Sequence, residues 1–509
     1  MDAEQFRQAA QSAIEEIIEH FNTLPSRRVL PNIEPGYLRP LLPQSPPKEP
    51  ESWEQIRLDI ESKIKPGLTH WQSPHFMAFF PALVTYPSIL GEMYSAAFSA
   101  PAFNWLCSPA CTELEIVVLD WVAQAIGLPE CFHSTGPTKG GGVIQGSASE
   151  AVVTVMVAAR ERMLRDLAAA EGLKEDTPEW EDKVMSIRGN LVALGSDQAH
   201  SCTAKGARIV GTRYRSVPTA LSDNFEVTGA SLRKVLEECE AAGLVPYYLT
   251  TTLGTTSTCA TVSIRRDQSR SRVQTFLAKD MAYAGAALVT PEYQPIAREW
   301  DSGIDSFNFN MHKWLLVNFD ASCLFVRNRT DVTSAMDITP AYLRNPYSEL
   351  PDTVDFRNWQ IPLGRRFRAL KIWFVMRAYG LSGMRAFIYK GLHHGDVFVE
   401  MCRGRKDLFT IVTPPAFGLT VFRVTDEAAA AACGSTSAAI TREVYEKINA
   451  GGEIFITSSV VGGIYVIRVV SGSWLSEEKY VRRAFDIIAK TTEETLAGKK
   501  TNGVETLRN

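Results

Sequence analysis

Four short stretches of this 509-residue chain bring together residue types from which chemistry can be built. Gly140-Gly-Gly-Val-Ile-Gln-Gly-Ser-Ala-Ser149 runs glycines into small hydroxyl residues at a helix start. Backbone N–H groups and hydroxyls presented that way suit an anion, typically phosphate. The same text suits a glycine turn feeding a capped helix, and it lacks the lysine of a Walker-A loop, which disfavours nucleotide hydrolysis. Asn308-Phe-Asn-Met-His-Lys-Trp314 sets a lysine beside a histidine among apolar and aromatic residues. Desolvation there lowers an amine's pKa and makes Lys313 a candidate Schiff-base amine, the alternative being a snorkelling lysine with a buried stem. Asp280, in Asp280-Met-Ala-Tyr-Ala-Gly285, is an acid where a strand should end. His200, in Ser196-Asp-Gln-Ala-His-Ser201, directly follows a strand. Taken singly, the acid and the histidine are no more than polar residues at strand ends.

Such residues need elements to hold them. Residues 2–22 read as an amphipathic helix, with Phe6, Ala10, Ile14, Ile17, Ile18 and Phe21 on one face and Glu15, Glu16 and Glu19 off it. So apolar a stripe must be buried on something, a second subunit being one option. Seven prolines over residues 30–50 exclude regular structure and predict an extended arm or linker. Helical pattern returns over 52–64. From about residue 86 the pattern alternates, with helices over 112–126, 149–170 and 231–242 and short buried strands over 190–196, 244–253, 286–290 and 323–327. Such alternation predicts an α/β layer with a largely parallel sheet. Beyond residue 370, a helix over 369–379, strands over 421–425 and 463–470 and a last helix over 476–496 predict a smaller α+β unit.

Composition narrows the function classes. Charged residues make up 22% and hydrophobic ones 45%, an ordinary globular profile. With 53 Lys+Arg against 57 Asp+Glu the net charge is −4, so no basic excess exists to neutralise phosphates and no nucleic-acid partner is expected. The apolar runs are short or broken by charge, as Asp120 breaks 116–122, whereas a membrane span needs about 20 residues. No membrane association is expected. Early acids and the lack of a basic segment before an apolar core argue against a signal peptide. Nine cysteines without a CxxC pattern read as reduced thiols of a cytoplasmic protein. Cys107 and Cys111 lie four apart, but no Cys/His pair completes a zinc site, so no metal is expected.

The four stretches fit one cofactor. Pyridoxal phosphate needs a phosphate cradle, a Schiff-base lysine, an acid for its pyridinium nitrogen and a flat group against its ring. At this point longer text becomes specific: EPGYLRPL at 34–41, PGLTHWQSPHFMAFFPA at 66–82, SPACTELE at 108–115, GGGVIQGSASEA at 140–151, SDQAHS at 196–201, TLGTTSTCA at 252–260, NFNMHKWLLVNFDAS at 308–322 and WQIPLGRRFRALK at 359–371. With these the chain resembles the aromatic L-amino-acid decarboxylases, the pyridoxal-phosphate group that includes dopa, tyrosine and tryptophan decarboxylases. The resemblance runs from near residue 1 to about 495.

The resemblance implies a fold-type-I α/β enzyme that works as a homodimer. Its parts would be an N-terminal helical arm and dimerisation segment (1–85), a large cofactor domain with a mainly parallel seven-stranded sheet (86–370) and a small C-terminal α+β domain (371–509). Lys313 would hold the cofactor, Asp280 would pair with the ring nitrogen and His200 would lie over the ring. Ala148, Ser149, Thr256 and Asn310 would hold the phosphate, with His312 beside the lysine. The substrate side chain would sit among Trp71, Phe79, Phe80, Pro81 and Ala82, with Pro101, Phe103, Leu363 and Gly364 completing the pocket. Tyr342 decides the outcome. In similar enzymes this tyrosine lies on a mobile loop and delivers the proton that gives an amine. Relatives with Phe there let oxygen react and give an aromatic acetaldehyde. The expected activity is therefore decarboxylation of an aromatic L-amino acid, with two rivals: an aldehyde synthase, or a non-catalytic protein of the same fold.

Four departures bear on the site. Residues 263–274 carry Arg265, Arg266, Arg270 and Arg272 and three serines where relatives place a helix feeding a buried strand. Lys279 stands beside Asp280, where it would be either a costly buried cation or an ion-pair partner that neutralises the acid. Met311 replaces the usual proline before His312, and Phe79 replaces a common tyrosine. Plant relatives with glycine at the position of Gly364 tend to take indolic substrates and those with serine phenolic ones. Phe79 and Ala82 also cannot hydrogen-bond a phenol through their side chains, so tryptophan is the expected substrate and tryptamine the product.

Overall fold

The computed structural model describes residues 1–260, 275–348, 350, 353–432 and 434–506. Arg265, Arg266, Arg270 and Arg272, on which the atypical character of 263–274 rests, lie outside the described residues.

One compact unit comprises Ala82–Leu392 and Thr413–Phe417. Its sheet contains β1 (Gly141–Gln145), β2 (Leu191–Ser196), β3 (Arg213–Val217), β4 (Val245–Thr252), β5 (Phe276–Asp280), β6 (Ser306–Asn310) and β7 (Ser322–Val326). The order is β1-β7-β6-β5-β4-β2-β3. The pairs from β6 to β3 are parallel, and β7 runs antiparallel to both neighbours. Parallel strands covered on both faces read as continuous apolar runs, and every residue of β2 and β5 is buried. The helix Ala148–Ala170 follows β1 and puts Val152, Val155, Met156, Ala159, Met163 and Leu164 into the same core as Ala193, Tyr248 and Phe276 of the sheet. The seven-stranded, mainly parallel architecture expected of fold type I is present.

Two elements differ from the sequence reading, each for a packing reason. Residues 286–290 were expected as a strand, but Ala284–Val289 forms a fully buried 3₁₀ helix. A short apolar run cannot be told from a buried helical turn by periodicity, and here close approach decides. A Cβ on Gly285 would lie 2.5 Å from the Phe309 Cβ. The second is β1, whose text reads as a glycine turn. It is a buried strand pairing Gly141 with Val326 and Gln145 with Ser322, and a Cβ on Gly142 would lie 2.9 Å from the Phe325 ring. Glycine is there to let two strands and an aromatic ring close up.

The other unit comprises Met1–Pro81, His393–Val412 and Gly418–Asn509. Strands β8 (Phe409–Ile411), β9 (Leu419–Val424), β10 (Thr457–Val461) and β11 (Ile464–Val470) form an antiparallel sheet ordered β10-β11-β9-β8. Helices Ser437–Gly451 and Glu478–Thr506 belong to the same unit. The N-terminal segment joins it through backbone: Met77 N–H donates to the Phe455 carbonyl at 2.8 Å, and Val470 N–H donates to that of Met77 at 3.2 Å. The helix Ala3–Thr23 opens on a capping box between Asp2 and Gln5. It buries Ala9 and Phe21, while Phe6, Ile14 and Ile17 of the expected apolar stripe are exposed. Among the described residues no helix is long and apolar enough to cross a membrane.

Candidate active site

Strand alternation decides what surrounds Asp280, the last residue of β5. Its Cα partners are Thr252 on β4 and Asn308 on β6, so those three side chains share one face. Lys279 falls on the other face, where its Nζ stands 5.9 Å from the Trp300 ring centroid and the Glu299 charge acts on it. The neutralising pairing of Lys279 with Asp280 raised by their adjacency is thus corrected by the period of two. The charges that reach Asp280 are Lys313 and His200. Asp280 is 5% exposed. Burial pushes its carboxyl up, and Lys313, His200, the Ala282 N–H at 3.2 Å and the Asn308 amide pull it back.

Lys313 sits in the one-turn helix Met311–Trp314 that follows β6. Burial lowers its pKa against the opposing pull of Asp280, with the Cys202 and Cys259 thiols also within electrostatic reach. His200 follows β2, and its Nδ1 accepts the Cys202 N–H at 3.2 Å, which leaves Nε2 as the protonated nitrogen of a neutral ring. Desolvation and then the Lys313 charge lower its pKa, although the residue keeps an exposed side. His312 is buried, accepts the Ala321 N–H on Nδ1 at 2.8 Å and is driven to about 3 by burial first and Lys313 second. It stays neutral at any working pH.

Ala148 and Ser149 are the first two residues of a 23-residue helix whose N-cap, Ser147, accepts the Glu150 N–H at 3.2 Å. First-turn N–H groups have no intrahelical acceptor. Gly146 lies close to two carboxylates, since a Cβ there would stand 2.8 Å from Glu150 Oε2 and 3.2 Å from Asp320 Oδ2. The Asp320 charge also acts on His312, so the glycine turn and the lysine turn are neighbours. Asn310, at the end of β6, is 3% exposed. Thr256 is exposed beside a turn closed by Thr255 Oγ1, which contacts Thr258 and accepts the Ala260 N–H, both at 3.0 Å.

Three buried polar atoms at this end of the sheet lack a hydrogen-bond partner: Thr252 Oγ1, Asn308 Nδ2 and Asn310 Oδ1. Asn308 helps to hold the Asp280 pKa down without a hydrogen bond of normal geometry through Nδ2. Buried polar atoms are nearly always satisfied, so this cluster flanking Asp280 marks a place for a polar ligand. An acid for a ring nitrogen, a desolvated lysine for an aldehyde and a helix start for a phosphate fit pyridoxal phosphate. Thr252, Asn308 and Cys202 were not singled out from sequence. The signal for Asn308 was available, because Asn308 and Asn310 alternate along β6 with Phe307 and Phe309.

The remaining candidates divide between the units. In the smaller one, Trp71 stacks on Phe79 with centroids 5.8 Å apart, and the Arg468 guanidinium lies over the Phe80 ring at 5.3 Å. Phe79 holds a φ of 53°, an uncommon conformation for a side-chain-bearing residue, and Pro81 is buried. In the larger one, Ala82 and Phe103 are half-buried, and Pro101, Leu363 and Gly364 are exposed. The loop bearing Leu363 and Gly364 is fixed at its end, where Arg365 meets Glu115 at 2.6 Å and Gln360 at 2.8 Å. Tyr342 stands 79% exposed on the 3₁₀ turn Ala341–Leu343.

Lys279 gives a stability test. Burial lowers its pKa to about 8 from the ordinary 10.5. Below about 8 both folded and unfolded chains are protonated and the whole penalty is present; between about 8 and 10.5 only the folded chain has lost the proton, so stability rises with pH. Lys279→Val is expected to stabilise the fold by roughly 1–3 kcal/mol at pH 7 and to remove that alkaline rise. Chemical denaturation at pH 7 and 9.5 checks both.

Residues 35–425 match the model of the pyridoxal-dependent decarboxylase conserved domain. The aromatic-L-amino-acid decarboxylase of Mus musculus is 38% identical over 501 residues, spanning 98% of this chain and 100% of that protein. The crystal structure of Catharanthus roseus tryptophan decarboxylase in complex with L-tryptophan superposes with a TM-score of 0.88 at 37% identity, over 97% of this chain and 99% of that one. Rhodiola rosea 4-hydroxyphenylacetaldehyde synthase superposes with a TM-score of 0.86 at 34% identity, over 97% and 99%. A lysine and an acid facing one another at the ends of parallel strands, and this likeness along nearly the whole length, make the chain a member of the pyridoxal-dependent decarboxylase family, in its aromatic-L-amino-acid branch.

Proposed function

We propose that the chain decarboxylates an aromatic L-amino acid to its arylalkylamine and CO2, and that its preferred substrate is tryptophan. The observation that carries the reading is the pairing of buried Asp280 with half-buried Lys313, each within electrostatic reach of the other, and His200 beside them. Bound pyridoxal phosphate supplies an electron sink for the pair left on the substrate α-carbon as CO2 departs. The residues do the rest. Lys313, its amine lowered by burial, holds the cofactor aldehyde and is the base for local proton transfers. Lys313, His200 and the Ala282 N–H favour the charged form of Asp280 against the upward push of burial, and that charge would hold a proton on the ring nitrogen. His200 offers the face of a neutral ring. Ala148, Ser149, Thr256 and Asn310 bind the phosphate, and His312 packs beside the lysine. Tyr342 donates the proton that completes the amine.

Ala82, Pro101, Phe103, Leu363 and Gly364, all of the larger unit, line the substrate side chain in this reading. No Cβ placed on Gly364 meets an atom within 4 Å, so Gly364→Ser costs the fold nothing and isolates substrate choice. The variant is expected to raise turnover of tyrosine relative to tryptophan by roughly tenfold, since a buried phenol gains a partner and the indole loses room. Equimolar competition of tryptophan, 5-hydroxytryptophan, tyrosine, phenylalanine and dopa tests both statements. An excess of tyramine or dopamine over tryptamine from the unaltered chain overturns the preference for tryptophan.

The second reading is favoured by the likeness to the Rhodiola synthase. There the amino acid, O2 and water would give aldehyde, CO2, ammonia and hydrogen peroxide, and a peroxide assay separates the outcomes. Exposed Phe6, Tyr94 and Phe98 support a homodimer, which sedimentation at micromolar concentration tests. The eight described cysteines, seven of them buried thiols, support a cytoplasmic location.

A further inference from the structure

The segment that carries Tyr342 is tied down at both feet by one buried ion pair. Arg357 and Asp355 are 6% and 9% exposed and meet at 3.6 Å. Arg357 Nη2 donates to Thr339 Oγ1 at 3.2 Å, three residues before Tyr342. Ser348 Oγ donates to Asp355 Oδ2 at 2.7 Å, six residues after it. The same pair reaches the stretch containing Phe103. Arg357 N–H donates to the Phe103 carbonyl at 3.0 Å, and Trp105 N–H donates to Asp355 Oδ1 at 2.9 Å. Trp105 in turn packs on Tyr347 with ring centroids 4.7 Å apart. Arg357 Nε and Nη1 are buried without a hydrogen-bond partner. A guanidinium kept at that cost, where an apolar residue would pack more cheaply, implies that the bonds it does make matter.

We propose that Asp355 and Arg357 are positioning residues. They clamp Thr339 and Ser348, fix where the turn carrying Tyr342 stands relative to the Phe103–Trp105 stretch, and thereby set the share of turnovers that end as amine rather than aldehyde. The clamp acts through Tyr342 and so rests on the proton-donor role given to that residue above. When the turn wanders, the donor is absent more often, and O2 and water intervene with the balance already stated.

Both feet can be freed without touching the buried pair. Thr339→Val/Ser348→Ala removes the two hydroxyls, and Thr339→Ser/Ser348→Thr keeps them. In the first double variant the peroxide-to-amine ratio is expected to rise about fivefold or more, and limited proteolysis within 340–347 to quicken by a similar factor, the loss of one hydrogen bond being worth about that much. Cofactor absorbance and KM should be unchanged, and the conservative double variant should match the unaltered chain in every reading. Proteolysis is measured with and without pyridoxal phosphate. An unchanged cleavage rate, or an unchanged product ratio, in Thr339→Val/Ser348→Ala overturns the clamp. Tyr342→Phe is run beside it. If that change leaves the products as they were, the donor reading itself fails and the clamp's role falls with it. If it diverts product while the freed feet do not, the clamp alone is wrong.

Discussion

Lys313→Ala is expected to cut amine formation on the order of 10⁴-fold or more, because covalent capture is what places substrate and cofactor in one geometry. No other lysine in the larger unit is set to take over. Lys279 is buried, but β5 turns it to the face opposite Asp280. Lys371 is 1% exposed and held at 2.6 Å by Glu92. The variant should still fold, since alanine fits a helical turn and removes an amine that burial disfavours. Its cofactor absorbance should lose the band of the lysine-bound form, whereas Lys279→Ala and Lys371→Ala should keep it. Turnover near that of the unaltered chain would remove the central claim.

Tyr342→Phe should change what is made more than how fast substrate is consumed. Phenylalanine keeps the ring and deletes only the hydroxyl. At 79% exposure the loss should leave stability within about 0.5 kcal/mol of the starting value. Tryptamine should fall, and indole-3-acetaldehyde, ammonia and peroxide should rise in equal amounts. Cofactor binding should be unaffected, since the residues proposed to hold phosphate and ring lie on other elements. A variant that makes amine at the original rate with no peroxide would exclude Tyr342 as the donor.

The sequence carried much of this site, for reasons that can be stated residue by residue. Lys313, Asp280 and His200 each stand where a buried strand ends, and that position is readable from hydrophobic runs and the polar residue that stops them. Their convergence followed from the parallel sheet, which gathers strand ends along one edge. Local text failed where packing at a distance decided. Gly140–Gly142 read as a turn because what crowds them is far away in sequence: the Val326 carbonyl at Gly140, the Trp359 ring at Gly141 and the Phe325 ring at Gly142. The run at Ala284–Val289 has no period to distinguish a strand from a tight helical turn. Lys279 was a puzzle only while it was considered next to Asp280 in sequence rather than across the strand from it. The clamp on Tyr342 was invisible for a related reason. Its four members, at 339, 348, 355 and 357, look like ordinary polar residues until the chain folds back on Phe103.

The N-terminal segment bonds to residues near the other end of the chain: Met77 with Phe455 and Val470, and Phe76 with Phe455 in a parallel bridge. On a ribosome those partners emerge some 380 residues later, a wait of about 20 to 80 s at ordinary elongation rates. Throughout it the helix Ala3–Thr23 and the aromatic stretch around Phe76 have no finished unit to join, while the sheet that holds Asp280 and Lys313 can already close. Residues 3–77 are thus made well before the unit they belong to can close. Nascent chains stalled before β9 should be held by chaperones through their N-termini, and a premature stop there should yield insoluble protein even though every residue assigned to the cofactor has been translated.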